Sequence, residues 1–527
     1  MVTRKTARPT ARKQARSIPA KADKPKARAK PVARKKSAGT PGALPRLRIR
    51  MYRHGLGDCL LLRFRRDDGV STFNLLIDCG LIMVADKASE TMTEVAKDIH
   101  EVCEGHLDVV VMTHEHWDHA SGFSKAQARS VFDGIDVGEV WYGWTEDPQN
   151  ELGKRLRKER AKKVQALASA ASALAKAGGS PMALERAAGL SALLGFFGLN
   201  AATAKGGTIG RTREAFDYLL NRSEVKTRYC TPDKPPTSLR GVPDLRVYVL
   251  GPPPDEGLIK RSSPTKKGRE VYELASEAKL ADNLESAFIR LASDGPAGSD
   301  SATDDCPFDP TLRRRDGASA QRASPALDAL VRESWDLPGQ EWRKVEDDWT
   351  QAVEALALNL DSHTNNTCLV LAFEFADTGE VFLFPADAQV GNWLSWQDLK
   401  WRVRTANGLT EVTGPDLLAR TVFYKVGHHG SHNATLRSLG LEQMTHENLV
   451  AFIPVFRKQA EKSRWMGMPF GPLVKRLKEK TAGRLLQSDS AVPDAASLAA
   501  LPVAARKSFL ASVESEKKGL WFEYRVG

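Results

Sequence analysis

The chain has 527 residues, enough for roughly two to four domains or one large domain with insertions. No apolar run approaches the ~18 residues of a membrane span and no signal-peptide core follows the start, which points away from an integral-membrane or exported protein. The six cysteines form no CxxC pair and no dense framework, which suits reduced thiols in a cytoplasmic protein better than a secreted disulfide scaffold. The formal net charge of +12 is unevenly spread, because residues 1–46 hold 15 Lys or Arg against the single acid Asp23 and so carry +14. Everything after residue 46 therefore sums to −2.

The segment 1–46 alternates basic residues with Ala, Pro, Thr and Ser and has almost no large apolar side chains. It cannot bury enough surface to offset the entropy of ordering, so a disordered basic arm is expected. Such an arm is either a handle for nucleic acid or another polyanion, or a solubilising extension. From Leu47 the pattern changes to strands. LRIRMYRHG alternates, GLGDCLLLRFRR follows, and STFNLLIDCG runs into Asp78 and Gly80. Residues 86–106 read as a helix with Val95, Ile99 and Val102 in helical steps.

The β-branched run Val109–Val111 reads as a buried strand that breaks into THEHWDH. His114 and His116 are two apart, so in an extended segment both rings project the same way. Asp118 and His119 follow, and a tight turn can aim them beside the first pair. Three imidazoles and a carboxylate in six positions, in a chain with 11 histidines, suit a divalent metal bound at about 2.0–2.2 Å. The alternative is a solvated loop carrying histidines by chance.

This stretch resembles the HxHxDH signature of the metallo-β-lactamase-fold hydrolases. The resemblance implies His114 and His116 on a first metal, and Asp118 and His119 on a second. Gly57-Asp58 and Asp78-Cys79-Gly80 resemble the opening motifs of the ComEC-like branch of that superfamily. Asp58 and Asp78 are then expected to orient the histidines from behind.

VGEVWYGW (137–144) reads as a further strand, with Trp141, Tyr142 and Trp144 as core rather than a substrate rim. Residues 150–222 look like an inserted helical subdomain, with helices at about 150–177 and 181–198 and a third over REAFDYLLN. The first helix carries Lys154, Arg155, Arg157 and Lys158, either a solvated face or a nucleic-acid contact. Residues 47–149 and 223–527 are thus the two halves of one domain. LRVYVLGPPP returns to a buried strand, 255–325 reads as mobile, and EWRKVEDDWTQAVEALAL makes an amphipathic helix with Trp342, Val345, Trp349, Val353 and Leu356 on one side.

HTNNTCLVLAFEF (363–375) and VFLFPADAQ (381–389) read as a hairpin of strands. The second runs into Asp387, which could bridge two cations, one oxygen to each, about 3.5–4 Å apart. Both segments resemble ComEC-like motifs, although Pro-Ala-Asp stands here where Gly-Asp is typical. FYKVGHHGSHNAT (423–435) resembles the family's HHGS motif. His429 is favoured for the second metal and His428 for a substrate-facing catalytic role, with the reverse assignment open, and Ser431 as a turn former. Asp118 is the other candidate catalytic group. The family's further site-one histidine has one counterpart in this interval, His363. Either it is a ligand, or site one is histidine-poor and favours Mn²⁺ or a single ion. Trp393, Trp396 and Trp401 form a packed cluster or a substrate wall. Strands over LVAFIPVF and GLWFEYRV and a short helix over LVKRLKEK close the chain.

The resemblance implies an α/β protein, specifically an αββα metallo-β-lactamase sandwich with a helical insertion, holding one or two Zn²⁺ or Mn²⁺ ions. A metal-bound hydroxide would be the nucleophile. The expected function is a phosphodiesterase or nuclease. A small-molecule ester, lactone or phosphoester hydrolase and a non-catalytic nucleic-acid scaffold are the alternatives.

Overall fold

The computed structural model describes residues 44–82, 85–176, 188–191, 193–199, 210–261, 348–405, 408–463, 465, 467–516 and 518–527. The basic arm up to residue 43, the 255–325 expectation from residue 262 onward, and Trp342 and Val345 lie outside the described residues. So do the side chains of Trp349, Val353 and Leu356.

Two sheets carry the architecture. The first contains β1 (Leu47–Tyr52), β2 (Leu60–Arg65), β3 (Thr72–Ile77), β4 (His106–Val111), β5 (Asp136–Gly143), β6 (Lys226–Cys230), β15 (Val513–Ser515) and β16 (Trp521–Val526). Its order is β15-β16-β1-β2-β3-β4-β5-β6, antiparallel as far as β3 and parallel from β3 to β6. The second contains β7 (Leu245–Gly251), β8 (Val370–Phe375), β9 (Val381–Phe384), β12 (Thr421–Lys425), β13 (Val450–Ile453) and β14 (Leu485–Gln487). Its order is β14-β13-β12-β9-β8-β7, and it repeats the same plan of parallel strands joined to an antiparallel meander. A separate hairpin pairs β10 (Lys400–Thr405) with β11 (Gly408–Thr413).

Period-two alternation sets the layers. Leu75 and Ile77 of β3, with Val109 and Val111 of β4, share one buried cluster with Leu371 and Phe373 of β8. Phe64 meets Phe373 with ring centroids 5.3 Å apart, and Phe423 stacks on Tyr524 at 5.8 Å, so the two sheets face each other. The intervening residues Leu76 and Val110 point the opposite way, into a second cluster with Met92, Val95 and Ile99 of the helix Ala88–Val102. Trp393 and Trp396 of the helix Val390–Trp396 belong to this second cluster together with Tyr248 and Tyr424 from the other sheet. The chain is thus a mixed α/β protein whose two sheets share a core and carry helices on their outer faces.

Several expectations need adjusting. Residues 363–365 continue the helix Asp348–Asn365, and the strand starts only at Val370. The polar side chains find partners one helical turn back: Thr364 Oγ1 donates to the Leu360 carbonyl (2.8 Å) and Asn365 Nδ2 to Asp361 Oδ2 (3.1 Å), the latter an i,i+4 side-chain pair that supports the last turn. The helix expected over REAFDYLLN is shorter, Arg211–Phe216. The structure adds strands β6, β10, β11, β14 and β15. Trp141, Tyr142 and Trp144 are core, and Trp393, Trp396 and Trp401 form a buried cluster rather than a wall.

Candidate metal centre

Backbone contacts fix the first half of the site. The Asp58 amide donates to the Asp118 carbonyl (3.0 Å) and the Cys79 amide to the His119 carbonyl (2.9 Å), which ties the two acid–glycine corners to the histidine loop. A Cβ on Gly57 would fall 2.2 Å from the Gly80 oxygen, and one on Gly80 would fall 2.4 Å from the His119 nitrogen. Only glycine permits this approach. His116 caps the short helix Trp117–Ala120, which carries Asp118 and His119 inward.

The second half arrives from the other sheet. Asp387 follows the end of β9, and His428 and His429 follow β12. Their backbones are unusual: Asp78 (φ 53°), Ala386 (φ 51°), His428 (φ 42°) and His429 (φ 53°) all occupy the left-handed region without being glycine. Such conformations cost energy and concentrate where side chains must be aimed.

The expected residues converge. His119 Nε2 lies 3.0 Å from Asp387 Oδ2, and His429 Nε2 lies 2.9 Å from Asp118 Oδ2 and 3.8 Å from Asp387 Oδ2. Asp118, His119, Asp387 and His429 offer four buried donor atoms, all within 4.8 Å of one another. His114 Nε2 sits 3.0 Å from His116 Nδ1, a second convergent pair. His428 Nε2 is 3.9 Å from Asp387 Oδ2, and its Nδ1 lies 3.2 Å from both Gln389 Nε2 and Ser431 Oγ. Asp78 stands behind the donors: its Oδ2 takes His119 Nδ1 at 2.7 Å and the Thr113 hydroxyl at 2.6 Å.

A fit to a cation follows from what these atoms lack. Asp118 Oδ1, His119 Nε2, Asp387 Oδ2 and His428 Nε2 are buried without a hydrogen-bond partner. Orphaned donors and acceptors are costly in a dry interior. A nitrogen and oxygen set of this kind is what a borderline divalent ion such as Zn²⁺ or Mn²⁺ binds, so the cluster of Asp118, His119, Asp387 and His429 could hold a metal ion. Asp387 turns its two oxygens to different partners. Its Oδ1 already takes Lys425 Nζ (3.3 Å) and the His428 amide (3.1 Å), leaving Oδ2 alone to face the centre.

Charge is distributed accordingly. Burial works against protonation of His119, but the carboxylates of Asp387, Asp78, Asp118 and Asp58 outweigh it and raise its pKa well above the ordinary value. His429 is raised in the same way, burial again being overcome, by Asp387 and Asp118. His114 is pushed well down and His116 down to about 3, by burial first. Burial also lowers His428 to about 4, though Asp387 pulls the other way. The Asp387 carboxyl lies far below its usual range: burial opposes this, but His119, Lys425 and His429 outweigh it.

Other expected residues fall elsewhere. His363 lies away from the centre, in a small cavity with Lys163, Lys260 and Arg160, and burial first, then the two lysines, press it down to about 3. Helical geometry is the reason, since residues two apart point to nearly opposite sides; Asp361, not His363, faces His116, at 3.9 Å. Of the basic helix Glu151–Lys176, Lys154 pairs with Glu151 at 2.7 Å, Arg155 with Glu256, and Arg157 donates to the Thr145 and Asp147 carbonyls. Lys158 is exposed and has no ion-pair partner among the described residues.

Sequence reasoning missed five participants. Lys425 is buried between Asp58 and Asp387. Its place inside the buried strand FYKV was the available signal, because a charge there needs a partner. Asp361 carries no motif; burial first, then Asp387 and Asp118, push its carboxyl up to about 8. Glu115, between the two first-half histidines, pairs with Arg160 and with Arg213 (3.0 Å), both from the insertion. Phe196 and Phe197, also from the insertion, pack on His116 with centroids 5.4 and 5.0 Å away, and Phe196 stacks on Trp465 at 4.5 Å. Together they roof the centre.

Compared with known proteins, the chain matches no family model and no curated protein. No helix among the described residues is long and apolar enough to cross a membrane.

Proposed function

We propose that the chain is a metal-dependent hydrolase of the metallo-β-lactamase fold, ComEC-like branch, acting on a phosphodiester. The observation that carries this reading is the convergence of Asp118, His119, Asp387 and His429 from two different sheets, with orphaned atoms aimed at one point. When bound there, a divalent ion acidifies a water molecule and polarises the substrate's ester oxygens. The protein's own groups do the rest. Asp78 fixes His119, Lys425 fixes Asp387, and His428, held by Gln389 and Ser431, presents a buried, largely neutral Nε2 that can accept or return a proton at the leaving oxygen. The arm over 1–46 is the proposed handle for nucleic acid or another polyanion.

The roof refines the substrate. With Phe196 only 2% exposed above His116, a single strand or a small nucleotide diester reaches the donors more readily than a duplex. A second reading, a small-molecule ester or phosphoester hydrolase, is favoured by the same roof and by the internal pairing of Arg155, Arg157 and Arg160. The test is cleavage of single- and double-stranded DNA, bis(p-nitrophenyl) phosphate and a lactone panel by Zn²⁺- or Mn²⁺-loaded protein, with Asp387→Ala as control. Metal-dependent diester cleavage lost in the variant supports the first reading. Cleavage confined to lactones or carboxylic esters supports the second, and inactivity on every substrate with metal bound removes both.

A further inference from the structure

Three of the converging histidines give the ring nitrogen that faces away from the centre to an outer partner. His114 Nδ1 meets the Thr113 hydroxyl at 3.1 Å, His119 Nδ1 meets Asp78 Oδ2 at 2.7 Å, and His429 Nδ1 meets the Pro454 carbonyl at 2.7 Å. His116 departs from this pattern. Its Nδ1 faces His114 Nε2 at 3.0 Å, so the pair can share an ion, but its outward Nε2 is buried and has no hydrogen-bond partner. The side chain opposite is Asp361, whose Oδ1 lies 3.9 Å away and is also buried and unpartnered. Asp361 Oδ2 is engaged by Asn365 Nδ2 at 3.1 Å, which turns Oδ1 toward the imidazole. The rings of Phe196 and Phe197 pack on the same imidazole and offer it no acceptor.

We propose that Asp361 is the positioning residue of His116, accepting its Nε2–H when Nδ1 is committed to an ion in the first metal position. The two orphans need to approach by only about 1 Å to form an ordinary hydrogen bond. A carboxyl oxygen accepting from behind an imidazole holds one tautomer and one ring orientation and strengthens the ring as a donor. This position has no third histidine, so its affinity depends on how well His114 and His116 are held. The helix Asp348–Asn365 thus contributes through Asp361, and His363 does not. The inference rests on the metal reading above and deepens it.

The test is a Zn²⁺ titration of the full chain by calorimetry, repeated with Co²⁺ by visible absorption, for wild type, Asp361→Asn, Asp361→Ala and His363→Ala. Wild type is expected to take up two ions. Asp361→Ala keeps the ion held by Asp118, His119, Asp387 and His429 at wild-type affinity and weakens the other about 10–100-fold. Asp361→Asn, nearly isosteric and still an acceptor, weakens it less, and His363→Ala leaves both unchanged. A titration of Asp361→Ala that superposes on wild type overturns the proposal, as does the weakening appearing in His363→Ala instead. A wild-type chain that binds no ion overturns the metal reading itself, a different result from the first two. Thermal unfolding of Asp361→Asn at the wild-type midpoint separates lost positioning from lost folding.

Discussion

The two loops that bring histidines to the centre do so by different means. The loop after β4 borrows its support. Glu115, wedged between His114 and His116, is gripped by Arg160 and Arg213 from the insertion, and Phe196 and Phe197 from the same insertion press on His116. The loop after β12 is supported from within its own half, by the left-handed backbone at His428 and His429 and by Gln389, Ser431 and the Pro454 carbonyl. The first loop therefore leans on the helical insertion through Glu115 and His116, whereas the second meets it, among the described residues, through the packing of Phe196 on His428 at 6.0 Å. An insertion that looks peripheral in the chain is thus part of how half of the centre is built.

The comparison can be broken or sharpened by mutation. The largest effect is expected from removing a donor shared by both halves. Asp118→Ala or Asp387→Ala should lower metal-dependent hydrolysis on the order of a thousandfold or more, measured as kcat/KM on a chromogenic diester. Lys425→Met should follow. It strips the buried counter-charge from Asp58 and Asp387 and should cost about 3–5 kcal/mol in denaturant unfolding, with part of the loss recovered when divalent metal is added. Arg213→Ala should cost about 1–3 kcal/mol and weaken ion binding at His114 and His116 while leaving the Asp118–His429 position alone. Equal weakening at both positions would erase the contrast between the loops.

Acid should act through the same contact. Burial works to raise the Glu146 carboxyl, but Arg213 and Arg160 outweigh it and hold it down at about 2, below its ordinary 4.5. A depressed carboxyl contributes stability that is full above the unfolded value and is lost as pH falls through the folded one. Wild type should therefore lose stability between about pH 4.5 and 2, and Glu146→Gln should lack that part of the slope, as followed by thermal unfolding against pH. The smallest effect is expected at the roof. Phe196→Ala should raise kcat/KM severalfold for a long single strand over a small diester, with a smaller loss of ion affinity at His114 and His116 than Arg213→Ala causes.

What was legible in the sequence was what is local. His114, His116, Asp118 and His119 lie in one loop, as do His428 and His429, and Asp387 closes a recognisable strand. Short-range spacing singled out the 114–119 loop, and the resemblance to family motifs joined Asp387 and His429 to it. Asp58 and Asp78 were also legible, from their acid–glycine corners and the family motifs those corners resemble. Asp361, Glu115 and Lys425 owe their roles to partners far off in sequence. His363 shows the same limit: residue type argued for it, but the helix continues through position 365 and turns Asp361 to the centre instead. The basic helix was read by composition, and its arginines proved to be tethers to Glu115, Glu256 and the Thr145 carbonyl. Composition counts charges but does not say which are already paired.

The pairing of β1 with β16 has a bearing on how the chain is made. Leu47 pairs with Val526 and Tyr52 with Trp521, and Glu523 receives Arg50 (3.0 Å, 473 residues away) and Arg63 (2.8 Å) in the buried interior. A strand synthesised early therefore waits for one synthesised almost five hundred residues later. During translation β1 is an uncovered edge, open to pairing with other nascent chains, and Arg63 of β2 waits for Glu523 while Arg50 has Asp98 alone. Contacts of such separation form slowly. The sheet that positions His114 to His119 is sealed only after the ribosome has delivered residues 521–526, so a nascent chain stalled short of them should depend on chaperones and collect in aggregates.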